Sequence, residues 1–120
     1  MSKHILVIDD EAEFRNAVKE ILSLDGYQVD IPRYLASAVA SAMQGIHDLI
    51  ILDLRMPGLD GLEIARLFRD QGLKTPILVI SGYLSDTIPA QLHQIGIQHT
   101  LPKPSGISQL FNAVKKALAA

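Results

Sequence analysis

The sequence predicts a three-layer α/β domain, a doubly wound (βα)5 arrangement in which a five-stranded parallel sheet is covered by helices on both faces. Two observations carry this. Short apolar runs alternate with segments whose apolar residues fall at helical spacing, and polar residues able to do chemistry stand where the runs end. Strands separated by helices of about 10–15 residues need right-handed crossovers, hence parallel pairing. In such sheets ligands bind beyond the carboxyl ends of the strands, where strand order reverses.

The elements follow in order. His4-Ile5-Leu6-Val7-Ile8 is a near-continuous apolar run, as expected of a strand buried on both faces. After Asp9-Asp10-Glu11, apolar residues at Phe14, Val18, Ile21 and Leu22 mark a helix that Asp25-Gly26 ends. Tyr27 to Ile31 alternates like a strand. Beyond Pro32, the residues Leu35, Val39, Ala42 and Met43 form a helical face that stops at Gly45, with Met43 expected in the core. Leu49 to Leu54 reads as the third strand and Leu59 to Gln71 as a helix with Ile64, Ala65 and Phe68 inward. Ile77 to Ile80 is the fourth strand. Pro89 is tolerated only in a helix's first turn, so the fourth helix starts late, near Pro89, and is short. Gln98 to Leu101 is a short fifth strand, and Ile107, Leu110, Phe111, Val114 and Leu118 mark the last helix.

Composition narrows the class. At 120 residues the chain suits one domain, 1–120, since domains commonly run to roughly 100–200 residues. Hydrophobic residues make up 48%, with three Tyr, three Phe and no Trp, so the core is mainly aliphatic. The absence of cysteine excludes disulfides, thiolate metal sites and a cysteine nucleophile. A formal charge of −2 argues against direct nucleic-acid binding. No apolar run approaches the ~18 residues of a membrane span, so no membrane insertion is expected and a cytoplasmic location is.

The strand ends carry the chemistry. The first strand ends in Asp9-Asp10, the third in Asp53, the fourth in Ser81-Gly82, and the fifth runs into Lys103. Singly, each has a bland explanation as a cap, a turn or a solvated charge; their joint placement at one sheet edge does not. Three carboxylates in one crevice repel unless a cation joins them. Mg²⁺ suits this donor set, taking one or two carboxylates plus waters and leaving room for phosphate oxygens; Mn²⁺ is the alternative. Lys103 adds a second positive centre, while the Ser81 hydroxyl and Gly82 N–H add neutral donors, a phosphoryl-binding arrangement. No Walker loop or G-x-G-x-x-G accompanies it, so a nucleotide is not indicated. Aspartate can act as a covalent nucleophile, which makes Asp53 the candidate phosphoacceptor.

Ile8-Asp9-Asp10-Glu11, Leu52 to Gly61, Ile80-Ser81-Gly82 and Leu101-Pro102-Lys103-Pro104, in this order and spacing, resemble the receiver domain of response regulators in two-component signalling. The resemblance covers essentially the whole chain and implies strand order 2-1-3-4-5, the flavodoxin-like order for which the receiver fold is a standard example. It implies that Asp53 takes a phosphoryl group from the phosphohistidine of a histidine kinase or a histidine phosphotransfer domain. It further implies that Asp10, Asp53 and the main-chain carbonyl of Arg55 bind Mg²⁺ directly, with Asp9 assisting through water. Ser81 would move toward the phosphoryl group, Lys103 would pair with it, and an output domain or downstream protein would read the change. The Lys103–Pro104 bond is expected cis, because Lys103 must turn its ammonium inward over Asp53 and the family holds this bond cis.

One position departs from the pattern. Receivers carry Tyr or Phe three residues before the lysine, where this chain has Thr100. Threonine cannot fill an aromatic's volume, which puts the usual hydroxyl–aromatic coupling in doubt; the favoured reading is an output carried sterically or by another face. Other classes fit less well. An aspartate-nucleophile phosphatase would need a second acid where Leu54-Arg55 follows Asp53, and a flavodoxin-type binder would need a Ser/Thr/Gly-rich loop where Asp-Asp-Glu stands. An inert or weakly switching receiver serving as an interaction module or phosphate sink is the alternative. His4, His47, His93 and His99 show no ligand spacing.

Overall fold

The computed structural model describes residues 2–56, 58–82, 84 and 87–119, without the side chains of Leu35 and Leu59. The inward placement expected of Leu35 lies outside this description. In chain order, β1 (His4–Ile8) leads into α1 (Ala12–Leu24), β2 (Gln28–Asp30), a 3₁₀ turn (Leu35–Ser37) and α2 (Ala38–Met43). There follow β3 (Leu49–Leu52), β4 (Arg55–Met56), β5 (Leu59–Asp60) and α3 (Gly61–Asp70). The chain then runs through β6 (Ile77–Ser81), α4 (Ile88–Gln94), β7 (His99–Pro102) and α5 (Ile107–Ala119).

Five of these strands make one parallel sheet in the order β2-β1-β3-β6-β7, while β4 and β5 pair separately and antiparallel. Counting the sheet's own strands, this is the expected 2-1-3-4-5. Strand alternation divides the core in two. Leu6, Ile8, Ile50, Leu52 and Val79 face Ala38, Ala42, Ala65, Phe68 and Leu92 on α2, α3 and α4. On the other side, Ile5, Val7, Ile51, Leu78 and Ile80 face Val18 and Leu22 of α1 and Leu110, Val114 and Ala117 of α5. Strand order reverses between β1 and β3, so the carboxyl ends of these two strands frame the crevice.

Several boundaries differ from the sequence reading, each for a physical reason. β3 stops at Leu52. The Asp53 N–H still bonds the Ile8 carbonyl at 3.0 Å, but the chain then turns into the β4–β5 hairpin around Gly58, whose φ of 74° suits glycine. That hairpin also takes Leu59 and Asp60, and α3 begins at Gly61 with Asp60 as cap, its carboxylate accepting from the Leu62 N–H at 2.9 Å. β2 is three residues long, since it pairs with β1 alone at the sheet edge. Met43 is not core: α2 buries Ala38 and Ala42, one turn apart, and Met43 falls beside that stripe at 38% exposure. Ile107, in the first turn of α5, is exposed, and Ala117 is buried instead. Pro89 does sit in the first turn of a seven-residue α4.

At the opposite end of the sheet, Arg69 fastens three segments. Its Nη1 donates to the carbonyls of Leu73 (2.8 Å) and Thr75 (2.9 Å), and its Nε to that of Ile95 (3.2 Å). The loop after α3 and the end of α4 are thereby joined.

Candidate functional site

The carboxyl edge of the sheet gathers the three acids, the serine and the lysine named from the sequence, while Thr100 lies inside the last strand, opposite Val79. Asp9 and Asp10 follow β1, Asp53 follows β3, Ser81 ends β6, and Lys103 follows β7. Asp9, Asp53 and Ser81 are buried and Asp10 is half-buried. Carboxylate oxygens of Asp9, Asp10 and Asp53 all lie within 4.8 Å of one another. A cavity of about 650 Å³ opens above them, lined by Glu11, Phe14, Asp53, Ser81, Gly82 and Lys103 among others. Arg55 also lines it, and its backbone N–H donates to Asp53 Oδ1 at 3.3 Å.

Local sequence explains each placement. Asp53 is held by backbone: its N–H is tied to β1, and α3 starts hard against its carbonyl. A Cβ on Gly61 would lie 2.3 Å from the Asp53 oxygen and 2.6 Å from Leu54 Cα, so only glycine fits this approach. Ser81 passes its carbonyl to the Lys103 N–H at 3.0 Å, which fixes the chain leaving β7. The Lys103–Pro104 bond is cis, as expected. Gly82 is different, because a Cβ there would meet open space. Thr100 pairs with Val79 and is half-buried.

Lys103 Nζ lies 2.7 Å from Asp9 Oδ2, 2.8 Å from Glu11 Oε1 and 3.3 Å from Asp53 Oδ2. The expected Asp53 contact is therefore the longest of three. Glu11 was not foreseen as a partner, nor was the Phe14 ring, whose centroid lies 4.1 Å from the ammonium. Glu11 adjoins the Asp-Asp pair in sequence, but only the start of α1 at Ala12 shows that its side chain turns toward the lysine. Phe14 reads equally well as a core position of an amphipathic helix.

Charges in the crevice shift accordingly. Burial alone would lower the lysine's pKa, yet the hydrogen bonds to Asp9 and Glu11, with the charges of Asp9 and Asp53, raise it, so Lys103 is an ammonium. The hydrogen bond from Lys103 lowers Glu11. Burial raises Asp9, against the opposing hydrogen bonds from Lys103 and the Glu11 N–H and despite the lysine's charge; the Asp53 charge adds to the rise. One ammonium thus does not neutralise the site. Hard carboxylate oxygens, partly buried and under-compensated, are the donor set that a small divalent cation fits. The histidines stand apart from the crevice: His47 Nε2 lies 2.9 Å from Asp30 Oδ2 in a structural pair.

The family model for the response regulator receiver domain matches residues 5–115. The chain belongs to that family, whose members act as phosphoacceptors in two-component signalling and bind Mg²⁺ at an acidic pocket. Response regulator MprA of Mycobacterium tuberculosis (strain H37Rv) is 33% identical over 98% of the chain and 51% of its own length. Transcriptional regulatory protein ResD of Bacillus subtilis is 32% identical over 95% of the chain and 47% of its own length. The chain spans about half the length of these curated relatives. Among solved structures, chemotaxis protein CheY4 of Vibrio cholerae superposes with a TM-score of 0.88 at 27% identity, covering 98% of this chain and 99% of that one. Among the described residues, no helix is long and apolar enough to cross a membrane.

Proposed function

We propose that Asp53 is the phosphoacceptor of this receiver. The carrying observation is the meeting of Asp9, Asp10 and Asp53 within 4.8 Å, with the Lys103 ammonium beside them. Asp9, Asp10, Asp53 and the main-chain carbonyl of Arg55 are the groups that would hold Mg²⁺ or Mn²⁺. When bound, the ion supplies positive charge that offsets the carboxylates and the phosphoryl oxygens. Lys103 and the Ser81 hydroxyl, with the Gly82 N–H, orient the remaining phosphoryl oxygens and stabilise their charge in transfer. The phosphorus–nitrogen bond of a phosphohistidine breaks while a phosphorus–oxygen bond to Asp53 forms, and the nitrogen keeps its electron pair. The donor is a histidine kinase or histidine phosphotransfer domain in the cytoplasm, and an output domain or downstream protein reads the change. Residues 1–120 act in this as one receiver domain that modifies itself and is not a turnover enzyme.

Incubation with phosphoramidate and Mg²⁺, read by intact mass and peptide mapping, tests the assignment. Wild type gains one phosphoryl group on Asp53, Mg²⁺ chelation abolishes the gain, and Asp53→Ala shows none. Equal labelling of Asp53→Ala would refute it.

A further inference from the structure

We propose that Phe14 is a positioning residue for Lys103: its ring face holds the ammonium at the crevice while the lysine exchanges carboxylate partners for a phosphoryl oxygen. This rests on Asp53 being the phosphoacceptor. At rest the ammonium has three donors and three carboxylates within 3.3 Å, those of Asp9, Glu11 and Asp53. A phosphoryl oxygen can gain a hydrogen bond only if one carboxylate loses its own. Glu11, with a side chain 62% exposed, is the partner most readily released, because exposed pairs contribute little. During that exchange the lysine keeps Asp9 and Asp53 but lacks its third hydrogen bond until the phosphoryl oxygen supplies it.

The Phe14 ring supplies a contact that persists. Attraction between an ammonium and a ring face depends on the charge as a whole rather than on which N–H is engaged. At 4.1 Å the ammonium is well inside the ~6 Å range of such contacts. The lysine side chain is 14% exposed, so the interaction is only partly screened by water. Phe14 is itself anchored, half-buried against the cluster that α1 and α5 form with the sheet. It sits one turn into α1, on the same side as Glu11, so one helix end both releases and retains the ammonium. A leucine would serve the cluster equally well but offers no negative ring face.

The test uses the whole chain as wild type, Phe14→Leu, Phe14→Tyr, Lys103→Met and the Phe14→Leu/Lys103→Met double variant. Proton NMR should show the Lys103 methylene signals beside Nζ shifted upfield by the ring in wild type and Phe14→Tyr, and moved downfield in Phe14→Leu. Phosphoramidate labelling of Asp53 at saturating Mg²⁺ should slow about three- to tenfold in Phe14→Leu, the size of a partly desolvated contact, and recover in Phe14→Tyr. In the Lys103→Met background Phe14→Leu should add nothing. Wild-type labelling in Phe14→Leu, or an equal loss in the Lys103→Met background, would overturn the positioning role alone. Wild-type protein with the upfield shift but no Asp53 labelling would overturn the phosphoacceptor reading, and the positioning role with it.

Discussion

Asp53 and Lys103 meet at 3.3 Å but are held there in different ways. Asp53 leaves a central strand with its N–H bonded to Ile8 and its carbonyl packed under Gly61. Lys103 leaves an edge strand, and its long side chain is held by three carboxylates and a ring. The carboxylate is placed by backbone and the ammonium by charge. Damage to the first should therefore appear as lost stability and misplaced chemistry together, and damage to the second as altered electrostatics on an intact fold.

The sharpest way to break this comparison is Gly61→Ala. Neither contacting atom is a side chain that can swing aside, so the Asp53–Leu54 backbone must shift. A loss of about 3 kcal/mol, at the upper end of overpacking costs, is expected in urea unfolding, with slowed Asp53 labelling. Near-wild-type stability would show that this backbone is not a fixed support.

Asp10→Asn should weaken Mg²⁺ binding by at least about tenfold, since altered outer partners alone cost about 10–100-fold. Lys103→Met should act in the opposite sense. It removes a positive charge from the crevice, where two unit charges at ~4 Å interact by roughly 1 kcal/mol even in water, so Mg²⁺ should bind about fivefold more tightly. Calorimetry on both variants checks the pair; weaker binding in Lys103→Met would show that the lysine builds the site instead of competing within it.

A smaller effect is expected in the alkaline range. The folded Lys103 pKa is raised, so the stability it contributes is fully present below the unfolded lysine value of about 10.4. That contribution is lost as pH rises through this value toward the folded one. Metal-free wild type should thus lose stability above about pH 10 more steeply than Lys103→Met. Tyr27, raised by burial and by the Asp25 charge, declines in the same window in both proteins and cancels in the difference. Parallel curves would remove the electrostatic account. Smallest of all, Met43→Gln should change stability by no more than about 0.5 kcal/mol, because that side chain lies beside the buried stripe of α2.

Where apolar residues run or repeat over a whole segment, the sequence was informative: the three buried strands, α1 and α3 follow from their apolar patterns, and the polar residues at four strand ends converge as their positions imply. Short elements were not legible. Two-residue strands such as Arg55–Met56 carry no period, so the hairpin after Asp53 leaves no signal in the sequence. In the six-residue α2, two alanines define the buried face and offer little contrast with their neighbours. Side-chain direction was the other gap. That Glu11 and Phe14 converge on Lys103 depends on where α1 begins and how it tilts, neither of which spacing states. The demand for glycine at 61 is likewise set by a backbone neighbour seven or eight residues earlier.

The triple grip of Arg69 makes α4 a lever with one fixed end. Its last turn is clamped through Ile95 to the same guanidinium that holds the loop before β6, while its first turn lies toward the crevice end of the sheet. Displacement begun near Ser81 would be largest at Thr87–Ile88 and fade toward the clamp, as a swing about a pivot and not a sliding of the whole helix. A lysine at 69 would present a point charge in place of a planar fork, and the pivot would loosen without any change in the crevice itself.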